Sequence, residues 1–410
     1  LDLDTNKGTV FLRRWSEQNR EWRKDHETCP DGKFIFSIFK NPIPHQIPLP
    51  PQDFIGRDED LKEILCHFDN GATMIVLSGV GGIGKTALAY KLAEKLKDRY
   101  PDGQILVDLQ GNSQSQGPLE PNEAMGQIIR SFDRTASLPK SKFELANLYR
   151  STLDGKRALL LLDNAFDNHQ VSPLQPPFAC GVLITSRTRF NLPGFKEMDL
   201  STLKPTDARD LLLKIDGRIG DHADELARMC GYLPLALKAA GSILANTKNL
   251  NLADYIKQLR TERTRLERIG SKEVEIDVKA SFSLSYARLP DDSKRVLRMT
   301  SVFPADFDAE AEEVVCEDMG HRSLDELVRW NLVDYLEATK GTGRYRLHDL
   351  IRVFATVRLN EEDDEKVRFD AHRRHSEHYR RLLSFADTLY QMGKENVLDG
   401  LKLFDREWAM

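Results

Sequence analysis

Met74-Ile75-Val76-Leu77-Ser78-Gly79-Val80-Gly81-Gly82-Ile83-Gly84-Lys85-Thr86-Ala87-Leu88-Ala89 runs from an apolar stretch, through four glycines, into a helical pattern that continues to Ala93. A buried strand that turns into a helix through glycine is where a phosphate-binding loop belongs. The glycines let the backbone curl close to an anion and aim successive N–H groups at it, while the helix N-terminus adds its partial positive charge. Lys85 then acts as a point charge for the outer phosphates, and the Thr86 hydroxyl is suited to ligate Mg²⁺. The nucleotide-binding candidates of this stretch are Gly79, Gly81, Gly82, Ile83, Gly84, Lys85, Thr86 and Ala87. A plain glycine-rich turn is the bland alternative, and the strand-before, helix-after context speaks against it.

Working outward, Gln104 to Leu109, Arg157 to Asp163 and Gly181 to Thr185 are short, nearly all-apolar runs separated by helical segments. That pattern means a parallel sheet covered on both faces, an α/β doubly wound fold, with ligands at the carboxyl ends of its strands. One strand end delivers Asp163, about 80 residues after Lys85, as a carboxylate for Mg²⁺. Asn164 follows where a second acid usually orients or deprotonates the attacking water; an amide orients but takes no proton, so turnover is expected to be slow. Another strand ends in Thr185-Ser186-Arg187, which sets a guanidinium near the outer phosphate. The catalytic candidates are Lys85, Asp163, Asn164 and Arg187, and the metal candidates Thr86 and Asp163. Before the loop, Phe54-Ile55-Gly56-Arg57 offers a lip for a flat heterocycle, although a capped helix start explains the following Asp58 and Glu59 equally well.

The 410 residues carry 40% hydrophobic and 30% charged side chains and a net charge of −5, an ordinary balance that gives no general electrostatic reason to bind nucleic acid. Five widely spaced cysteines, none in a C-x-x-C pair, read as reduced cytosolic thiols, and no apolar run is long enough to span a bilayer. Leu1 is not an initiator methionine and Met410 falls within a helical pattern, so both ends are expected to be cuts in a longer chain. Val10 to Asp25 reads as a salt-bridged amphipathic helix, with basic-aromatic interleaving as the nucleic-acid alternative. Asn41 to Pro51, with five prolines, reads as a stiff linker.

Past Ser201 the strand signal gives way to helices, expected over Thr206 to Leu213, Ala223 to Met229, Leu235 to Asn246 and Leu252 to Arg268. Between two of them, Gly231 ends one helix and Pro234 starts the next. Further helices to Trp330 lead into Leu332 to Leu336, a glycine turn at Gly341-Thr342-Gly343, and Arg344 to Leu347, which together suggest a winged helix. The helix before this hairpin balances acids and bases and is a poor DNA reader. His372, His375 and His378 recur every third residue; solvated histidines on a packed helix are expected rather than a metal site. Leu401 to Trp408 starts another amphipathic helix.

The succession of these stretches resembles the NB-ARC type of STAND signalling ATPases over roughly residues 52 to 358. Phe54-Ile55-Gly56-Arg57 resembles that family's adenine-contacting entry motif, Gly79 to Thr86 its P-loop, Leu162-Asp163 its Walker B strand end and Thr185-Ser186-Arg187 its first sensor. Gly231-Tyr232-Leu233-Pro234-Leu235 is similar to the GLPL motif, whose proline packs on adenine, and Leu347-His348-Asp349 to the MHD motif, whose histidine touches the β-phosphate of ADP. Asn164 departs from the second Walker B acid, and Leu347 stands where the motif has Met. The resemblance implies an N-terminal arm and linker (1–51), a P-loop domain (52–200), a helical domain (201–270), a winged-helix domain (271–358) and a helical region (359–410), similar to bacterial members that continue into tetratricopeptide repeats. It also implies ADP or ATP with Mg²⁺, slow hydrolysis, self-association on activation, an unknown trigger acting through further C-terminal residues, and a cytoplasmic signalling role, in bacterial defence or regulation, without membrane or direct nucleic-acid binding. A STAND-type transcription regulator and an AAA+ winged-helix DNA-binding ATPase are the alternatives.

Overall fold

The structure is a computed structural model that describes residues 7–11, 13–16, 21–24, 33–37, 43–111, 117–190, 193–268, 273–336, 343–393 and 396–407. Residues 1–43 and 44–410 form two separate compact units.

The first unit corrects the sequence expectation. In place of a helix over Val10 to Asp25 it has strands β1 (Lys7–Phe11), β2 (Arg13–Ser16), β3 (Glu21–Lys24) and β4 (Lys33–Ser37). Antiparallel pairing sets β1 against β4, and β2 against β3 with Trp15 opposite Trp22. Aromatic pairs at facing register favour a hairpin, and the Thr, Val, Phe and Trp of this stretch suit a pleated ribbon better than a helix.

In the second unit, helix α1 (Asp58–Asp69) precedes strand β5 (Met74–Ser78), which runs through the glycine loop into α2 (Lys85–Lys95). There follow β6 (Gly103–Asp108), α3 (Pro121–Phe132), α4 (Lys142–Leu153), β7 (Ala158–Ala165), the single turn α5 (Asn168–Val171), β8 (Gly181–Ser186) and β9 (Lys196–Asp199). The five strands form one parallel sheet in the order β6-β7-β8-β5-β9. Leu159 to Leu162 are wholly buried, as continuous apolar runs in such a sheet must be. After β5 the chain leaves for the far edge and returns strand by strand, so the carboxyl ends of β5, β7 and β8 share one crevice. Strand β9, three of whose four residues are charged, gave no apolar run to find in the sequence.

The proline segment is no loose tether where it is described. Gln104 of β6 donates its N–H to Pro44 O and accepts from Gln46 N, each at 2.8 Å, so Pro44 to Gln46 covers the open edge of β6. Proline at such an edge blocks further strand pairing.

Helices α6 (Pro205–Ile215), α7 (Ala223–Met229), α8 (Pro234–Asn246), α9 (Leu252–Arg268) and α10 (Glu273–Arg288) come next. Pro234 occupies the first position of α8, where its missing N–H costs nothing. Three more helices, α11 (Asp291–Thr300), α12 (Ala309–Cys316) and α13 (Arg322–Arg329), precede the antiparallel pair β10 (Asp334–Leu336) and β11 (Arg344–Arg346). Of the expected glycine turn, Gly341 and Thr342 lie outside the described residues. The chain ends in α14 (Asp349–Glu362), α15 (Glu365–Met392) and α16 (Asn396–Glu407). Of the stretch Leu401 to Trp408, expected to start an amphipathic helix, Trp408 is outside the described residues.

One large core joins α1, α2, one face of the sheet and the helices α6 to α15; the other face of the sheet has its own core against α3 and α4. The α15 histidines need correcting as well: His372 is exposed, but His375 and His378 are buried. Burial first, then the neighbouring His372 and His378, push His375 down to about 4. It packs edge-on to Phe303 and beside Tyr379, the environment of a core aromatic.

Candidate functional site

The glycine loop adopts a backbone that side chains resist. Gly79, Gly82 and Gly84 have φ of 147°, 79° and 96°, and Gly84 caps α2 without a side-chain acceptor. The first amides of α2 therefore face the loop as an anion cradle. Its surroundings are close. A Cβ on Gly79 would lie 3.1 Å from Leu200 O, on Gly82 3.1 Å from the Leu235 side chain of α8, and on Gly81 3.2 Å from Leu350 of α14. Leu235 N also donates to Gly82 O at 3.3 Å, and Pro234 Cγ lies 3.7 Å from where a Gly84 Cβ would be. Segments from three regions of the chain thus meet on one loop.

Lys85 Nζ folds over that loop and donates to Gly79 O (2.7 Å) and Val80 O (2.9 Å). Burial, and next the Arg187 charge, push its ammonium down to about 8, against the pull of Asp163 and Asp349. Ile83 is buried under the loop and Ala87 half-buried in the first turn of α2.

At the end of β7, Asp163 is 2% exposed. Its Oδ1 accepts from Thr86 Oγ1 at 2.9 Å and from Thr185 Oγ1 of β8 at 2.5 Å. A hydroxyl and a carboxylate side by side at the start of α2 are the hard oxygen donors that Mg²⁺ takes from a protein when phosphates and water supply the rest. Thr86 and Asp163 fit that ion, and Mg²⁺ there would neutralise phosphate charge. Among the described residues, no group of three or more His, Cys, Asp or Glu side chains could hold a metal. Asn164 sits at a bulge between β7 and β8 with φ 59°, and donates its N–H to Thr185 Oγ1 at 2.9 Å. Thr185 thereby fixes both residues of the strand end.

Arg187 pairs with Asp349 Oδ2, the first residue of α14, at 3.3 Å. His348 caps that helix: its Nδ1 accepts from Leu350 N at 3.2 Å, so the proton sits on Nε2, which is left as a donor. Burial, reinforced by Arg187, Arg346 and Lys85 and opposed by Asp349, holds the imidazole well below its ordinary pKa, hence neutral. Asp349 would be raised by burial, but the charges of Arg352, Arg346 and Arg187 oppose this and hold it below the usual carboxylate range.

The entry stretch does something more specific than forming a lip. Arg57, buried and with φ 67°, donates Nη2 to Ile83 O at 2.8 Å and pairs with Asp60 at 3.2 Å. It ties the start of α1 to the loop carbonyl. Phe54 and Ile55 are half-buried against the main core, and Gly56, at φ 69°, leaves room for Asp207 of α6.

Two residues escaped the sequence reading. Asp108, at the end of β6, stands at the register position beside Asp163, and Arg346 of β11 reaches both, at 3.2 Å from Asp108 Oδ2 and 3.5 Å from Asp163 Oδ2. Burial pushes the Asp108 carboxyl up to about 6, and Arg346 works against that push. The strand-end rule that selected Asp163 applied equally to Asp108. Arg346, inside a two-arginine hairpin strand, carried no such signal.

The glycine loop, its lysine and threonine, and the strand-end aspartate on a parallel sheet define a P-loop nucleotide-binding domain. Residues 57–218 match the family model of the NB-ARC domain, so the chain carries a domain of that family. It is 34% identical over 337 residues to regulatory protein AfsR of Streptomyces griseus (79% of this chain, 34% of that protein) and 35% identical over 330 residues to AfsR of Streptomyces coelicolor (76% and 33%). It is 24% identical over 354 residues to the putative disease resistance RPP13-like protein 2 of Arabidopsis thaliana (75% and 39%). The chain therefore spans about a third of the length of these relatives. Among solved structures, a STAND protein with a tetratricopeptide repeat sensor from Pyrococcus horikoshii shares the fold, with a TM-score of 0.56 and 17% identity over 89% of this chain and 50% of that one.

Proposed function

We propose that this chain is a nucleotide-controlled signalling switch, closed around ADP and opened by exchange for ATP, with slow hydrolysis resetting it. The observation that carries this reading is the Arg187–Asp349 ion pair, which joins the end of β8 to the start of α14 beside the loop lysine. In the closed form Lys85, Thr86 and the loop amides hold the phosphates, Pro234 packs on adenine, and the Nε2 proton of His348 is donated to the β-phosphate. A third phosphate recruits Arg187, which must then leave Asp349, so the region ending in α14 loses an anchor and swings out to expose a self-association surface. A ligand shifts such an equilibrium only by its differential affinity, and going from 1:99 to 99:1 takes about 5.5 kcal/mol, within reach of several charge-assisted contacts. Residues 271–358, with the β10–β11 hairpin and the start of α14, are read as a winged-helix domain that moves as one. The site is an ATPase only in this timing sense.

The disease-resistance relatives support a defence role, and the two AfsR relatives support a regulatory output, including a transcription regulator of STAND type. Among the described residues no helix is long and apolar enough to cross a membrane. The test is to extract and identify the nucleotide carried by purified protein and to weigh the particle with and without ATP. ADP in the monomer and a larger particle with ATP are expected; protein that retains no nucleotide, or an unchanged mass, overturns the switch. Lys85→Ala should retain none. Duplex DNA binding at physiological salt would instead favour a DNA-binding ATPase.

A further inference from the structure

Asp108 and Asp163 stand side by side on neighbouring strands, and a pair of half-desolvated carboxylates needs a cation or a proton between them. Arg346 is that cation here. Its guanidinium arrives from β11, 238 residues beyond Asp108 in sequence, and one nitrogen serves both carboxylates. Asp163 is thus used from two sides: Oδ1 by Thr86 and Thr185, Oδ2 by Arg346.

We propose that Arg346 is a built-in counter-cation that competes with Mg²⁺ for Asp163, so that metal binding and docking of the β10–β11 hairpin oppose one another. This rests on Thr86 and Asp163 being the Mg²⁺ site. The physical reason is that one buried carboxylate serves two cations, and a divalent ion at Thr86 and a guanidinium on the far oxygen repel through a poorly solvated gap. Linkage makes the effect reciprocal: whatever Arg346 removes from Mg²⁺ affinity, Mg²⁺ removes from hairpin docking. The docked form then holds its nucleotide with little help from metal, and undocking raises the affinity for the ion. Lysine would not replace arginine fully, since an ammonium is more strongly hydrated than a guanidinium and costs more to hold between two poorly solvated acids.

The experiment uses the whole chain loaded with ADP in EDTA and then dialysed, with Mn²⁺ as the paramagnetic probe. Arg346→Gln should bind Mn²⁺ about tenfold more tightly than wild type, with Arg346→Lys in between. Equal or weaker binding in Arg346→Gln overturns the proposal and makes Arg346 a residue that merely orients Asp163. If the variant does not fold, hydrogen exchange of the wild-type hairpin decides: Mg²⁺ should speed exchange at residues 344–346, and slower or unchanged exchange overturns the proposal. Failure of the underlying site looks different, because wild type and variant would then both keep ADP in EDTA yet show no saturable Mn²⁺ site.

Discussion

Arg187 and Asp349 are 162 residues apart in sequence and 3.3 Å apart in the fold. The pair is partly solvated, with side chains 29% and 23% exposed, so its coupling is expected at about 0.5–1 kcal/mol rather than the value of a fully buried bridge. Its weight comes from position: it closes the ring that runs from the P-loop through β8 to α14. Arg187→Ala and Asp349→Ala should each speed ADP release, and the double variant should fall short of the product of the two by about two- to fivefold. Stopped-flow release of a fluorescent ADP analogue measures this; full multiplicativity would show that the two groups act separately.

Thr185 is buried and serves two masters: its hydroxyl donates to Asp163 and accepts from Asn164 N. Thr185→Val keeps the shape and removes one hydrogen bond to a buried carboxylate oxygen and one from the partly buried Asn164 N–H. We expect a loss of about 1–3 kcal/mol in unfolding free energy by urea titration, with Thr185→Ser restoring most of it. Equal stability of the valine variant would mean that water or a neighbour replaces the hydroxyl.

His348 sets a pH dependence whose sign follows from its depressed pKa. The unfolded imidazole takes up a proton near pH 6.5 while the folded one, disfavoured by burial and by Arg187, Arg346 and Lys85, does not. Below that pH the unfolded state binds more protons, so this group removes stability as pH falls from about 6.5 toward the folded value. Melting temperatures of wild type and His348→Asn, which keeps an N-cap acceptor, should therefore diverge as pH drops from 7 to 5, with wild type losing more. Parallel curves would place His348 in a solvated setting.

Much of this was legible in the chain because the controlling signals are local. Continuous apolar runs gave β5 to β8, caps and glycines gave the helix ends of α7 and α8, and the strand-end rule gave Asp163 and Arg187. What was not legible depends on distance. Val10 to Asp25 reads at helical spacing because Glu and Arg recur at i,i+4, and only cross-strand pairing such as Trp15 against Trp22 decides otherwise. His375 and His378 read as solvated histidines on a packed helix, yet α12 and α16 pack against that helix and His375 lies edge-on to Phe303. Arg346 matters only because the fold brings β11 to the sheet edge, and no spacing rule contains that fact.

Asn164 offers the sharpest test of the slow-timer reading. Its backbone lies in the left-handed region at φ 59°, where asparagine and aspartate are the side chains best tolerated, and Thr185 holds its N–H. Asn164→Asp should therefore fold without new backbone strain. The new carboxylate would follow Asp163 directly in the chain, and this neighbouring like charge raises its pKa toward the range of a useful general base. Wild-type turnover is expected well below about one per second. The aspartate variant should hydrolyse ATP about 10- to 100-fold faster in single-turnover phosphate release, with ADP affinity nearly unchanged. A faster variant would also spend less time in the triphosphate state, so its ATP-driven particle should be smaller or shorter-lived. An unchanged rate would assign the proton of the attacking water to a different acceptor, and slow turnover would then no longer trace to the missing acid.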